Sequence, residues 1–220
     1  AHPVHPERIW RQLDAGRKVI LLSSHLGNPE VMAAVGALKA GLNLMLVTKR
    51  FKPAWLHDWV ERCRSKLGYK GAYEPRVMQD IIKHWNAGGV VGFTLDQFAG
   101  LPIGVRVPFF GVPVGTAATV ATLAVRYDAV VIPVMSHRQP DGSTHIIVDE
   151  PVEGQFSPGR LGIAERTAAY VACLERHVRM APAQWLWVHN RFKEDLSPLR
   201  PGEWEQARVR PPKEPTRLPD

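Results

Sequence analysis

The chain of 220 residues is poor in cysteine, with only Cys63 and Cys173, far apart in the sequence. That excludes a disulfide framework and a CxxC metal site, and favours a reducing compartment. A long unbroken hydrophobic run is also lacking. The longest uncharged stretch, Val107 to Val125, is interrupted by Pro108, Gly111, Pro113 and Gly115 and then studded with threonines, so it reads as a loop followed by a buried helix and not as a membrane span. No basic segment, apolar core and small-residue cleavage site opens the sequence as given, although Ala1 in place of methionine leaves room for a preceding anchor. There is no GxSxG elbow, no catalytic-looking cysteine context and no internal repeat. Acidic residues are in the minority: 21 Asp and Glu stand against 28 Lys and Arg, a net charge of +7. This favours anionic partners without choosing among nucleic acid, a membrane surface and an acidic protein.

What is present suits a buried core, since 45% of residues are hydrophobic and 22% charged. Short apolar runs alternate with longer runs of helical period, which predicts an α/β fold, a central and largely parallel sheet with helices on both faces. Strands are expected at Lys18 to Ser23, Leu42 to Thr48, Val90 to Leu95, Val130 to Ser136 and His145 to Asp149. The last two flank the turn-formers Pro140, Asp141 and Gly142 and read as one antiparallel hairpin. Helices are expected at Glu30 to Lys39, around Trp55 to Leu67, and at Arg76 to Asn86, Thr116 to Tyr127 and Arg160 to Arg179. In the second of these, Trp55, Leu56, Trp59, Val60, Cys63 and Leu67 recur at helical spacing and predict a core-facing stripe. One domain over residues 1–195 is expected, followed by a proline-rich charged tail over 196–220 that wraps loosely or is disordered.

The segment Val19 to Glu30 carries the most chemistry. A buried strand runs into Ser23-Ser24-His25-Leu26-Gly27-Asn28-Pro29-Glu30, with Asn28 suited to cap a helix and Pro29 to its first position. His25 thus lies beyond the carboxyl end of a strand, where open α/β sheets bind ligands. If Glu30 in the first helical turn reaches the imidazole, it fixes one tautomer and leaves the other nitrogen as a base for a hydroxyl proton. The same two residues also suit a plain helix cap. Ser24 is a weaker nucleophile candidate, because neighbours on a strand point to opposite faces.

Asp96-Gln97 ends another strand, where an exposed acid could order a substrate or a basic side chain, or form a cap or loop ion pair. Phe109, Phe110 and Gly111 lie in the apolar loop before Thr116, which is expected to cap the next helix. Backbone N–H groups there could hold an oxyanion or phosphate. Lys49, Arg50, Lys52, Arg62, Arg64, Lys66 and Lys70 cluster around the Trp55 helix. They form either a solvated face or, with the tryptophans, an anionic-lipid interface. Trp185 to Lys193 alternates like a strand, its tryptophans packing together and His189 structural.

Taken in order, His25-Leu26-Gly27-Asn28-Pro29-Glu30, Arg62-Cys63-Arg64-Ser65, Asp96-Gln97, Val107 to Gly111 with Thr116, and Trp185 to Lys193 resemble the bacterial lipid A biosynthesis acyltransferase family, within the lysophospholipid acyltransferase superfamily. The resemblance spans about Arg17 to Lys193. It implies an O-acyltransferase that moves a fatty acyl chain from an acyl-carrier-protein or coenzyme A thioester to a hydroxyl of a membrane lipid or glycolipid. By the same resemblance His25 is the general base and Glu30 its orienting carboxylate. Arg62 or Arg64 grips phosphate, Asp96 is the strand-end acid, and Phe110 and Gly111 shape the acyl or thioester site. No bound cofactor, no metal and no nucleic acid are expected. The partners are the lipid acceptor, an acyl carrier protein and an anionic membrane surface, and the location is peripheral, on the cytoplasmic face of the bacterial inner membrane. Two departures stand out: a short lead-in from Ala1 to Gly16 where the family carries an anchoring helix, and Asn28-Pro29 where many relatives have bulkier residues. Two alternatives share these residues, a thioesterase that activates water and a catalytically silent lipid-binding module.

Overall fold

The computed structural model describes residues 1–192; the expected tail and Lys193 of the last motif lie outside them. In chain order the elements are β1 (His2–Val4), α1 (Glu7–Asp14), β2 (Lys18–Ser23), α2 (Pro29–Leu38), β3 (Leu44–Val47), α3 (Ala54–Lys66), β4 (Tyr69–Ala72), α4 (Val77–Asn86), β5 (Val90–Thr94), β6 (Gly104–Phe109), β7 (Val112–Ala117), α5 (Thr119–Tyr127), β8 (Ala129–Arg138), β9 (Thr144–Val148) and α6 (Gly159–Met180). A single turn of 3-10 helix, Pro182–Gln184, follows.

Seven strands form one sheet in the order β1-β9-β8-β2-β5-β3-β4. The strands β8, β2, β5, β3 and β4 are mutually parallel, and β9 returns antiparallel to β8 through the expected hairpin. Strand β1, paired parallel with β9, completes the edge. The mixed α/β class and all five expected strands are therefore present. Right-handed crossovers between parallel strands put α2 and α3 on one face and α4 and α5 on the other. The core divides accordingly. Along β2, Val19 and Leu21 pack with Ile9 and Ala33, while Ile20 and Leu22 pack with Ile81, Trp85, Val120 and Tyr170 on the opposite side.

Three expectations are corrected. The segment expected to be an apolar loop is the hairpin β6–β7, turning at Phe110 and Gly111, which have φ of 52° and 76°. Pro108 and Pro113 suggested a loop, yet they face each other next to the turn. This is a non-hydrogen-bonded pair position of the antiparallel ladder, where no N–H is needed, so proline costs no ladder bond. Helix α5 accordingly starts at Thr119, and Thr116 lies fully buried in β7 and caps nothing. Trp185 to Phe192 is not a strand: it makes one bridge, Leu26 to Trp185, and then turns. The two tryptophans do pack, with ring centroids 4.7 Å apart. Finally, the expected stripe of α3 is split: Trp55, Trp59 and Leu67 face solvent, Trp55 72% and Trp59 55% exposed, Leu56, Val60 and Cys63 are half-buried, and the fully buried side chains of the helix are His57 and Arg64.

Candidate active site

Strands β2 and β5 are neighbours, and Ser23 pairs with Thr94. The ladder continues one step further, Leu95 N–H donating to Ser23 C=O at 3.0 Å. Two residues beyond the paired ends, His25 and Asp96 therefore stand side by side. After these two strands the chain departs to opposite faces of the sheet, which opens a crevice at their carboxyl ends.

The His25 ring Nδ1 lies 2.8 Å from Asp96 Oδ1, and the His25 backbone N–H donates to Asp96 Oδ2 at 2.7 Å. A third donor comes from the far end of the chain. Leu186 N–H bonds His25 C=O and Gly27 N–H bonds Gln184 C=O, which seats Trp185 so that its indole Nε1–H donates to Asp96 Oδ2 at 2.8 Å. Burial alone would raise the Asp96 carboxyl, but these donors hold it below the usual carboxylate range. An ionised carboxylate only accepts, so His25 Nδ1 carries the proton and Nε2 keeps its lone pair. The bond to Asp96 raises the His25 pKa, against the opposing effect of burial. The side chain is 28% exposed, so Nε2 can meet a substrate.

The carboxylate on His25 is thus Asp96 and not Glu30, which corrects the expected pairing. Asn28 caps α2 by accepting from Val31 N–H at 3.1 Å, and Pro29 opens it. The helix then carries Glu30 towards α3 and β4, where better donors wait. Arg64 donates to both Glu30 oxygens, and Tyr69 O–H donates to Oε2 at 2.6 Å. Burial of Glu30 opposes ionisation, and the two donors overcome it, so its pKa is lowered. Arg64 also bonds Glu61 at 3.1 Å and Tyr73 at 2.8 Å, and its charge is matched before any phosphate arrives. Arg62 is exposed on the other side of the same helix.

His25, Glu30 and Arg64 share one cavity of about 230 Å³ between α2 and the sheet. Its walls are apolar, with Ile9, Leu21, Ala33, Leu44, Val134 and Val148 among them, while Thr48, Glu30 and His25 reach solvent along one side. Ser24 turns away, its hydroxyl 3.3 Å from Met135 Sδ in the opposite core. Phe110, Gly111 and Thr116 do not line the cavity. Phe110 N–H is already engaged by Glu175 at 2.7 Å, which removes it as an oxyanion donor. The hairpin instead supports the acid from the other face: Phe109 packs on Trp185 with centroids 5.4 Å apart. The buried Arg191 donates to Gln97 C=O at 3.1 Å and Thr116 Oγ1 at 2.6 Å. The Gln97 side chain itself is exposed. His189 has the expected structural role, its Nε2 accepting from Phe98 N–H at 2.9 Å.

Gly27 fits this turn because it lies at φ +65° and a Cβ there would meet Ser136 C=O at 2.5 Å. Gly27→Ala is expected to cost about 2 kcal/mol of stability, strain and overlap together. Urea denaturation measures this, and a midpoint unchanged from the parent protein would refute it.

The supports Trp185 and Arg191 were not expected as parts of the site. Trp185 carried a signal, its place in a dense aromatic motif, but nothing local ties either residue to Asp96.

Comparison with known proteins gives a coherent result. The family model described as bacterial lipid A biosynthesis acyltransferase matches residues 5–194. The chain is similar to a lipid A biosynthesis lauroyltransferase of Escherichia coli strain K12, 33% identical over 141 residues, covering 63% of this chain and 44% of that one. It is also similar to a phosphatidylinositol mannoside acyltransferase of Mycolicibacterium smegmatis, 26% identical over 201 residues, covering 88% and 63%. A lipid A biosynthesis palmitoleoyltransferase of E. coli K12 is 27% identical over 152 residues, covering 68% and 48%. The chain thus spans about half the length of the curated relatives it matches.

Proposed function

Since this chain belongs to the bacterial lipid A biosynthesis acyltransferase family, we propose that it transfers a fatty acyl group from a carrier-protein or coenzyme A thioester to a hydroxyl of a membrane lipid or glycolipid. The observation that carries this reading is the His25–Asp96 pair beside an apolar cavity. His25 Nε2 takes the proton of the acceptor hydroxyl as its oxygen attacks the thioester carbonyl. The C–O bond forms, the C–S bond breaks, and the imidazolium returns its proton to the departing thiolate. Asp96 orients the ring and stabilises its charged form. The cavity holds the acyl chain, and binding both substrates together turns a bimolecular step into an oriented one.

In this reading Arg64 is a positioning residue that joins α3 to α2 through Glu30, so the wall of the cavity keeps its shape. The net positive charge suits an acidic carrier. The proposed location is peripheral, at the cytoplasmic face of the bacterial inner membrane; separately, no described helix is long and apolar enough to cross a membrane.

Mass spectrometry of products from a mixed acyl-thioester pool and a total lipid extract tests the proposal. An acylated lipid formed only when extract is present supports it. Free fatty acid released at one rate with or without extract would instead mean hydrolysis. The cavity assignment has its own test in Ala33→Phe, which places a ring among the apolar walls. It is expected to lower kcat/KM for long-chain donors about tenfold relative to short-chain ones, on the scale of pocket discrimination by a few methylenes. An equal loss for both lengths would place the chain elsewhere.

A further inference from the structure

Helix α3 is built inside out. Trp55, Trp59, Arg62 and Lys66 fall at i, i+4, i+7 and i+11 and share one face, and all four are exposed. The opposite face carries His57 and Arg64, both buried, because Arg64 is drawn inward by Glu30, Glu61 and Tyr73. Charge is inside and the indoles are outside. The chain entering the helix extends the pattern, since Lys49, Arg50, Phe51 and Lys52 are exposed. Asp58 is exposed as well, but cations outnumber it.

We propose that this face of α3 docks the chain on an anionic phospholipid bilayer, the indoles entering the interface while Arg62, Lys66, Lys49, Arg50 and Lys52 meet headgroup phosphates. Two observations favour a bilayer over an acidic protein. Two rings followed by two long cations occupy one helix face, so the rings can enter the interfacial layer while the basic stems extend to its surface. In addition, the basic run starts at the cavity: Thr48, which lines it, immediately precedes the exposed Lys49, Arg50, Phe51 and Lys52. Docking by α3 brings the edge of the cavity to the lipid. The docking stands on the exposed face of α3 and does not depend on the chemistry proposed for His25.

The experiment is co-sedimentation of the 220-residue chain with vesicles of phosphatidylglycerol and phosphatidylethanolamine, and with vesicles of phosphatidylcholine alone. Binding to the anionic vesicles is expected to be at least tenfold tighter and to weaken with salt. The double substitution Trp55→Ser and Trp59→Ser is expected to weaken it about tenfold, with the melting temperature unchanged because both side chains are exposed. Arg62→Gln and Lys66→Gln should each cost about fivefold at low salt. His25→Ala should bind vesicles like the parent, which separates failure of docking from failure of the catalytic reading. Equal binding to both vesicle types overturns the proposal. So does binding that survives the α3 substitutions but is lost on Val188→Ser, beside the likewise exposed Leu186 and Trp187, or capture of an acidic carrier protein by α3 with no vesicle binding.

Discussion

His25→Ala and Asp96→Asn are each expected to lower kcat by about 10²–10⁴-fold, the span that a positioned general base supplies. The two differ in how they fail. Alanine removes the proton acceptor. Asparagine keeps the shape but can present an N–H where Asp96 accepts, and so favours the wrong imidazole tautomer, as in serine-hydrolase triads. The pH profile is the sharper readout. In the parent protein Asp96 raises the His25 pKa, so the reactive neutral form accumulates only as pH rises through a value above the ordinary 6.5, and activity should climb with it. Without the carboxylate the acid limb moves to lower pH while the maximum falls. Glu30→Gln is the control, because Glu30 bonds Arg64 and Tyr69 and not His25; its acid limb should stay in place. If the limb moved with Glu30→Gln and stayed with Asp96→Asn, the assignment of the partner would be reversed.

The largest effect on stability is expected from Arg191→Met. Burial pushes the Arg191 pKa down to about 10, yet it remains a cation at neutral pH, and its guanidinium ties the end of β5 to β7 through Gln97, Gly115 and Thr116. Methionine removes the donor from Gln97 C=O and Thr116 Oγ1 inside the protein, while Gly115 C=O keeps Ala99 N–H. Relief of the buried cation offsets part of the loss, and the net cost is expected to be about 3 kcal/mol. For a chain of this size that corresponds to a fall of about 6–12 °C in melting temperature. Calorimetry showing a shift below 2 °C would mean that water replaces the guanidinium without penalty.

Much of the architecture was legible because periodicity reports burial. The two-faced β2, the turn to α2 with its Asn28 cap, four of the five parallel strands and the returning β9 follow from apolar spacing and from Asn, Gly and Pro at punctuating positions, whereas the short, glycine-containing β4 (Tyr69–Ala72) offered no such run. The partner of His25 was not legible. His25 and Asp96 are each recognisable at strand ends, but their meeting depends on β5 lying beside β2 in register, and strand order is a long-range property. Sequence proximity favoured Glu30, five residues on, although α2 carries it to Arg64. The outward face of α3 was misread for a related reason: helical spacing identifies a stripe without saying which side is packed, and here an ion-pair network claims the inner side. In β6–β7 the prolines hid a hairpin, because what they exclude is a bonded ladder position and not a strand.

The acid that serves His25 is held from the side of the sheet opposite the cavity, by Trp185 in contact with Phe109. Reactivity and fit are thereby entrusted to separate layers of the protein. On the proposed function, substitutions in the cavity wall would change which hydrocarbon fits while leaving the His25–Asp96 pair in place.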